Sequence, residues 1–448
     1  MTSALARYYT GLRLVFLQII TTRVRPVFLE DDSWIRSVRE RSGPMERAGE
    51  LDSDLIEAIY EEKLFKLFVP ESMNGAMTPL PEALRAFERA AWIDGAFGWA
   101  VTIGAGGGFF AATMDQERAR ELFSAREAVI AGSGLPTGRA VRAEGGYRVS
   151  GRWSYCSGAL YASFFTANCV VVAAEAGEAG ADRVGGADGA GGAGAERDDG
   201  AGRAGGAWAE RDDGAGRAGG AWADRVGEAD GAGGADAGRP PLVRSFAFLP
   251  WQVEVIRDWN AFGLRATGSH TIVVNDAFVP DDMTFDIMEP PRLADPIYRY
   301  PFLPFAQTSF AAVVLGIGRH FLDECAGFAD ERKADWEAVK PRKLELLLSS
   351  LAEWRREVDA AADRFHAAAT ETWAGFLRAG ALSPEAERLV GRRSREAART
   401  AVRAAEALFP QLGMTALRQD HPLNRTWRDL HTAAQHSVLQ PDGDEENI

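Results

Sequence analysis

The side chains best suited to moving a proton lie near the end of the chain, in Arg425-Thr-Trp-Arg428-Asp429-Leu-His431-Thr-Ala-Ala-Gln-His436-Ser437. Imidazoles titrate near neutrality, so either histidine can give a proton to an oxygen acceptor or take one from a phenolic hydroxyl. On a continuous helix the two would sit about 500° apart and address different sides. A histidine on a helix also fits a packed core position, and Arg425, Arg428 and Asp429 fit a helix ion-pair cluster as well as an anion grip. A second set is Arg265-Ala-Thr267-Gly268-Ser269, where a guanidinium stands beside a compact run of hydroxyls able to approach a phosphate. A plain β-turn would use the same residues. A third is Tyr155-Cys156-Ser157-Gly158, which closes an alternating segment and reads otherwise as an ordinary strand-to-turn Ser-Gly.

The elements that must hold these groups are legible in the spacing of apolar residues. Leu55, Ile56, Ile59 and Tyr60, then Leu84, Phe87 and Ala91, recur at helical intervals, so residues from about 34 to 125 are predicted helical. After Ala128 the texture turns to strands: Tyr147 to Trp153 alternates, and Phe164 to Ala173, Ser245 to Phe248 and Thr271 to Val274 are rich in strand formers. Between these strands, residues 176–240 are a Gly/Ala/Asp/Arg tract containing an internal copy, Glu196 to Trp208 recurring at Glu210 to Trp222. Such a composition buries too little apolar area to offset chain entropy and reads as a disordered surface insert. From Phe305 onward helices return, with Leu344, Leu347, Leu348, Leu351, Val358 and Phe365 in a near-heptad stripe. Ser383-Pro384 caps a helix that runs towards Leu408, and a last helix starts near Pro422 and ends before Pro441.

Composition narrows the function. The 448 residues are 46% hydrophobic and carry a net charge of −14, with no Lys/Arg block, which argues against a nucleic-acid partner. Cys156, Cys169 and Cys325 lack metal spacing and read as thiols of a reducing compartment. The apolar run Leu14 to Ile20 falls short of the roughly 18 residues of a spanning helix, so a cytoplasmic protein without membrane attachment is expected. No bound metal is expected, and no Walker A string, HExxH or nucleophile elbow occurs. The glycine run Val101 to Phe110 follows no strand of a βαβ unit and is not a dinucleotide fingerprint.

From about residue 34 to 440 the chain resembles the acyl-CoA dehydrogenase superfamily, and within it the branch of two-component flavin monooxygenases. Gly95-Ala-Phe-Gly-Trp99 is similar to a small-x-Gly-Trp string those enzymes place near the flavin. Tyr155-Cys156-Ser157-Gly158 stands where the dehydrogenases have an Ile-Thr-Asn-Gly-like string against the isoalloxazine ring. Cys156 falls at the threonine and Ser157 at the asparagine, positioned to hydrogen-bond flavin N5 or its oxygen adduct. Gly263-Leu-Arg265-Ala-Thr267-Gly-Ser269 resembles the Gly-x-Arg-x-Thr-x-Ser segment that faces the flavin and its phosphates. Dehydrogenases follow an Arg-Asp pair with a Tyr-Glu-Gly string whose glutamate is the base. Counting from Arg428, His436 falls at the tyrosine and Ser437 at the glutamate, so the carboxylate is absent and the monooxygenase histidine is present.

The resemblance implies an α+β protein: a helical N-terminal domain (34–127) after an extension (1–33), a β-barrel middle domain (128–288) and a C-terminal four-helix bundle (289–448), with the flavin between the last two. It implies His436 and Ser157 as catalytic residues and Trp99, Cys156, Ser157, Arg265, Thr267, Ser269 and Arg428 as cofactor-binding. It implies reduced FMN or FAD as cofactor, a separate flavin reductase, a homotetramer and a small-molecule substrate. Trp99, Phe109, Phe110 and Trp153 are candidates to line an apolar pocket for an aromatic or polyketide-like substrate. The α-domain histidine that related monooxygenases often direct at the substrate is missing. The alternatives are an acyl-CoA dehydrogenase or oxidase with a displaced base, and a non-catalytic flavin-fold binding protein.

Overall fold

The computed structural model describes residues 27–173 and 241–440. The expectations for Leu14 to Ile20 and for the 176–240 insert lie outside these residues.

The first helical part contains α1 (Asp32–Ala48), α2 (Ser53–Glu61), α3 (Leu80–Ile93), α4 (Gly95–Gly107) and α5 (Gln116–Phe123). Leu55, Ile56, Ile59, Leu84, Phe87 and Ala91 are all buried, as their helical spacing requires. Asp94 caps α4 by accepting from Phe97 N at 3.0 Å. Gly98 lets α4 lie directly on α3, because a Cβ there would stand 2.3 Å from Ala91 Cα.

The middle part is one mixed sheet of β1 (Ile130–Ala143), β2 (Gly146–Cys156), β3 (Phe164–Val172), β4 (Val243–Phe248), β5 (Glu254–Ile256), β6 (His270–Pro280) and β7 (Thr284–Phe285), in the order β5-β6-β2-β1-β3-β4-β7. β1 and β3 are parallel and every other pair is antiparallel. The expected barrel is therefore seen as a sheet: among the described residues the end strands β5 and β7 are not paired with each other. In β2 Tyr147, Val149 and Trp153 point inward and Arg148, Ser150 and Arg152 outward, the alternation anticipated from sequence. Trp153 is wholly buried in the sheet core and its indole donates to Asn168 O at 2.9 Å, so it is a packing residue and not part of a pocket wall.

The last part has three long helices, α6 (Phe302–Val339), α7 (Pro341–Ala379) and α8 (Pro384–Leu412), followed by the short α9 (Pro422–Ala433) packed on α6. Ser383 caps α8 through a 3.2 Å bond from Ala386 N. The α7 stripe is buried except at Leu348, which faces outward. Gly95–Ala112 and Phe302–Val339 are long and apolar enough to cross a membrane, yet 83% of each such window is buried inside the protein, as in core helices.

Candidate functional site

All three parts converge on one buried cluster. β2 ends with a register shift between Trp153 and Cys156, and Tyr155 takes a left-handed backbone at φ 65°. The shift keeps Cys156 facing the sheet core with Trp153 and leaves Ser157 at the strand's end. Cys156 is fully buried and burial pushes its thiol up to about 12, so the sulfur is withdrawn from the site expected for it. Ser157 is buried at the junction with α4, where Trp99 Nε1 donates to its Oγ at 3.0 Å. Ser157 Oγ lies 2.7 Å from Ser269 Oγ, which lies 2.6 Å from Thr267 Oγ1.

Thr267 belongs to the turn Arg265–Thr267 between β5 and β6, and Gly158 N donates to its carbonyl at 3.0 Å, joining that turn to the end of β2. The turn is pinned from the other side by α9. Gly263 passes so close that a Cβ would stand 2.3 Å from Arg428 O, and Leu264 N donates to Asp429 Oδ1 at 2.6 Å. Asp429 is buried with Asp94 nearby; burial first, then that second carboxylate, raise it to about 7.

His436 enters the cluster through its rings. Its centroid is 3.7 Å from that of Phe310, stacked at 21°, and 6.0 Å from Trp99. Phe310, on α6, is itself 5.2 Å from Trp99. The expectation that His436 rides the last helix is corrected: α9 stops at Ala433, and His436 caps the short turn Ser437–Leu439, with Nδ1 accepting from Val438 N at a long 3.4 Å. Surrounded by apolar rings, the imidazole is pushed down to about 4 by burial, so it is neutral at pH 7. With Nδ1 the acceptor, Nε2 carries the proton. His436 is thus a neutral donor in this setting and not the group titrating near neutrality that its residue type suggested.

The remaining candidates divide. Arg265 is half-buried beside Thr267 and, among the described residues, its side chain makes no hydrogen bond or ion pair, leaving an unspent guanidinium at the site. Arg428 is consumed elsewhere: it donates to Glu46 on α1, to Asn424 Oδ1 at 2.7 Å and to Phe262 O at 2.8 Å, so it clamps segments together and is not brought to the cluster. His431 packs on Trp427 at 4.2 Å, and neither its Nε2 nor Trp427 Nε1 has a partner among the described residues. Phe109 is enclosed by Tyr298, Phe302 and Phe305, and Phe110 lies against Phe285 and Phe302. Phe310 and Asp429 are the contributions that sequence reasoning missed or underrated. Asp429 was visible beside Arg428, whereas nothing marks Phe310 apart from its apolar neighbours.

A flavin fits these residues on two counts. Ser157 offers a buried hydroxyl at a ring-lined junction, and Arg265 offers a free cation to a phosphate beside it. The acid–base group touching Trp99 is an imidazole, and the partners of Ser157 are an indole and a hydroxyl.

Residues 308–441 match the family model for the acyl-CoA dehydrogenase C-terminal domain. The chain is 26% identical over 401 residues to an indole-3-acetate monooxygenase of Pseudomonas putida, covering 90% of this chain and 87% of the relative. It is 25% identical over 430 residues to the flavin-dependent monooxygenase oxygenase subunit HsaA of Rhodococcus jostii, covering 92% and 94%. Among solved structures, the HsaA monooxygenase from M. tuberculosis superposes with TM-score 0.71 at 22% identity over 93% of both chains. XiaF from Streptomyces sp., in complex with FADH2 and glycerol, gives 0.70 at 21% identity over 96% of this chain and 94% of its own.

Proposed function

We propose that this chain, which belongs to the acyl-CoA dehydrogenase superfamily and is homologous to its flavin-dependent monooxygenases, works as the oxygenase component of a two-component system. It takes reduced flavin, FMN or FAD, from a separate reductase and uses O2 to hydroxylate a small aromatic or polyketide-like substrate. The observation that carries this reading is His436: the site's acid–base side chain is a neutral imidazole held against Phe310 and Trp99, and the next residue, at the position where a dehydrogenase of this fold keeps its carboxylate, is Ser437.

Bound reduced flavin supplies the reaction with O2. Ser157, with Trp99 behind it, holds the ring edge; Thr267 and Ser269 back Ser157; and Arg265 pairs with a flavin phosphate. His436 donates through Nε2–H to oxygen as substrate is hydroxylated. The rings of Trp99 and Phe310 exclude water, which strengthens those hydrogen bonds. Three parts, helical from residue 34, a sheet from residue 128 and helical again from residue 289, act around one site, and four chains assemble in the cytoplasm.

The test is to mix the purified protein, under air, with reduced FMN or FAD and an aromatic probe such as indole-3-acetate or p-hydroxyphenylacetate, the compounds named for its relatives. A hydroxylated product formed only with reduced flavin supports the reading. Bleaching of oxidised flavin by an acyl-CoA alone would replace it with the dehydrogenase alternative.

A further inference from the structure

The hydroxyls of Thr267, Ser269 and Ser157 form a row in which valence couples the direction of each bond to the next. Each has one proton to give. Thr267 Oγ1 gives its proton to Leu264 O at 2.8 Å, so it must accept at its 2.6 Å contact with Ser269. The proton of Ser269 is thereby committed to Thr267, and Ser269 must accept at its 2.7 Å contact with Ser157. Ser157 gives its proton to Ser269 and accepts from Trp99 Nε1 at 3.0 Å. All four side chains are buried. Ser157 is left with a spare lone pair and no spare proton.

The row can also run the other way. Leu264 O receives two further donors, Trp259 Nε1 at 3.0 Å and Thr267 N at 3.2 Å. If Thr267 turns its proton to Ser269, and Ser269 turns its own to Ser157, that carbonyl stays paired. Ser157 then has a proton to offer outward. Reversal gives up one bond on a carbonyl that keeps two others.

We infer that Thr267 and Ser269 are positioning residues that set the hydrogen-bonding polarity of Ser157, making it an acceptor for the N5–H of reduced flavin at rest and, on reversal, a donor to the bare N5 of oxidised flavin. The inference rests on the flavin reading above and adds a consequence that reading does not contain. The resting direction favours the reduced cofactor, because only the oxidised form requires the row to turn.

The experiment measures dissociation constants of the full chain for oxidised and, anaerobically, for dithionite-reduced FMN and FAD, and takes their ratio. Ser269→Ala removes the acceptor of Ser157, and Thr267→Val removes the acceptor of Ser269. Either change leaves a proton free to move outward and should lower the preference for reduced flavin roughly fivefold, the worth of one ordinary buried hydrogen bond. Thr267→Ser should restore the parent ratio. In a Ser157→Ala background neither change should move it. An unaltered ratio in both variants, or the same shift with Ser157 absent, overturns the inference while leaving the flavin reading intact. A parent protein that binds neither form of either flavin overturns both.

Discussion

His366 and His436 both lie among the helices of the C-terminal half, with opposite surroundings. His366 Nε2 meets Glu88 on α3, whose other oxygen meets Arg319, and Arg319 reaches Asp359 at 2.9 Å. Burial alone would raise Glu88, but His366 and Arg319 more than offset it and hold the carboxyl below its usual range. That imidazole is a joint in an ion network tying α3, α6 and α7 together. Among the described residues His436 has rings for neighbours, no carboxylate, and a ring nitrogen left to act on something outside the protein. A histidine's partners, more than its depth, decide whether it builds structure or does chemistry.

The largest effect expected from breaking this contrast is at His436. His436→Ala should keep reduced-flavin binding and lose product formation by about 10²–10⁴-fold, the usual worth of a positioned acid or base. Oxygen would still be consumed and hydrogen peroxide released, so product and peroxide are counted per reduced flavin. At the other histidine the loss should appear as stability. Glu88→Ala leaves Arg319 and His366 facing each other with no carboxylate between them, at a cost on the order of 3 kcal/mol, read from urea unfolding. Hydroxylation by the folded fraction should be unchanged.

Arg265→Ala tests whether the free cation grips the cofactor. A charge-assisted bond is worth roughly 1.5–3 kcal/mol, so flavin affinity should drop about tenfold to a hundredfold with little change in the chemical step. The smallest effect concerns pH. The folded value of His436 is about 4 against an ordinary 6.5. A depressed value makes its contribution to stability complete above 6.5 and lost as pH falls through about 4. Its ring signals in an NMR titration, assigned by their absence from His436→Ala, should therefore stay flat from about pH 6.5 to 8. A midpoint near 6.5 would show the ring to be solvated and the contrast with His366 unfounded.

The sequence carried the local half of this picture. The helical stripes of α3 and α7, the alternation of β2 and the Ser383-Pro384 cap are set by residues a few positions apart, and those expectations match the structure. Trp99, Ser157, the Thr267–Ser269 pair and His436 come from four separate strings of the sequence and meet in one cluster. The failures are matters of direction and distance. One register shift at the end of β2 decides that Cys156 turns inward, and strand periodicity cannot announce it. Arg428 was read beside Asp429 on one helix, but its partner Glu46 is 382 positions away. Glu88, Arg319 and His366 share no string, so their cluster exists only in three dimensions.

That clamp has a bearing on how the protein is made. Arg428 joins Glu46, near the start of the described chain, to Phe262 in the loop before the hydroxyl row, while Asp429 next to it holds Leu264. Contacts so remote along the chain close late and slow folding, because the intervening chain must first be ordered. During synthesis, at about 5–20 residues per second, Glu46 waits on the order of 20 seconds or more for its partner to emerge. The turn that carries the hydroxyl row therefore cannot be pinned, nor His436 join it, until the last described elements have emerged.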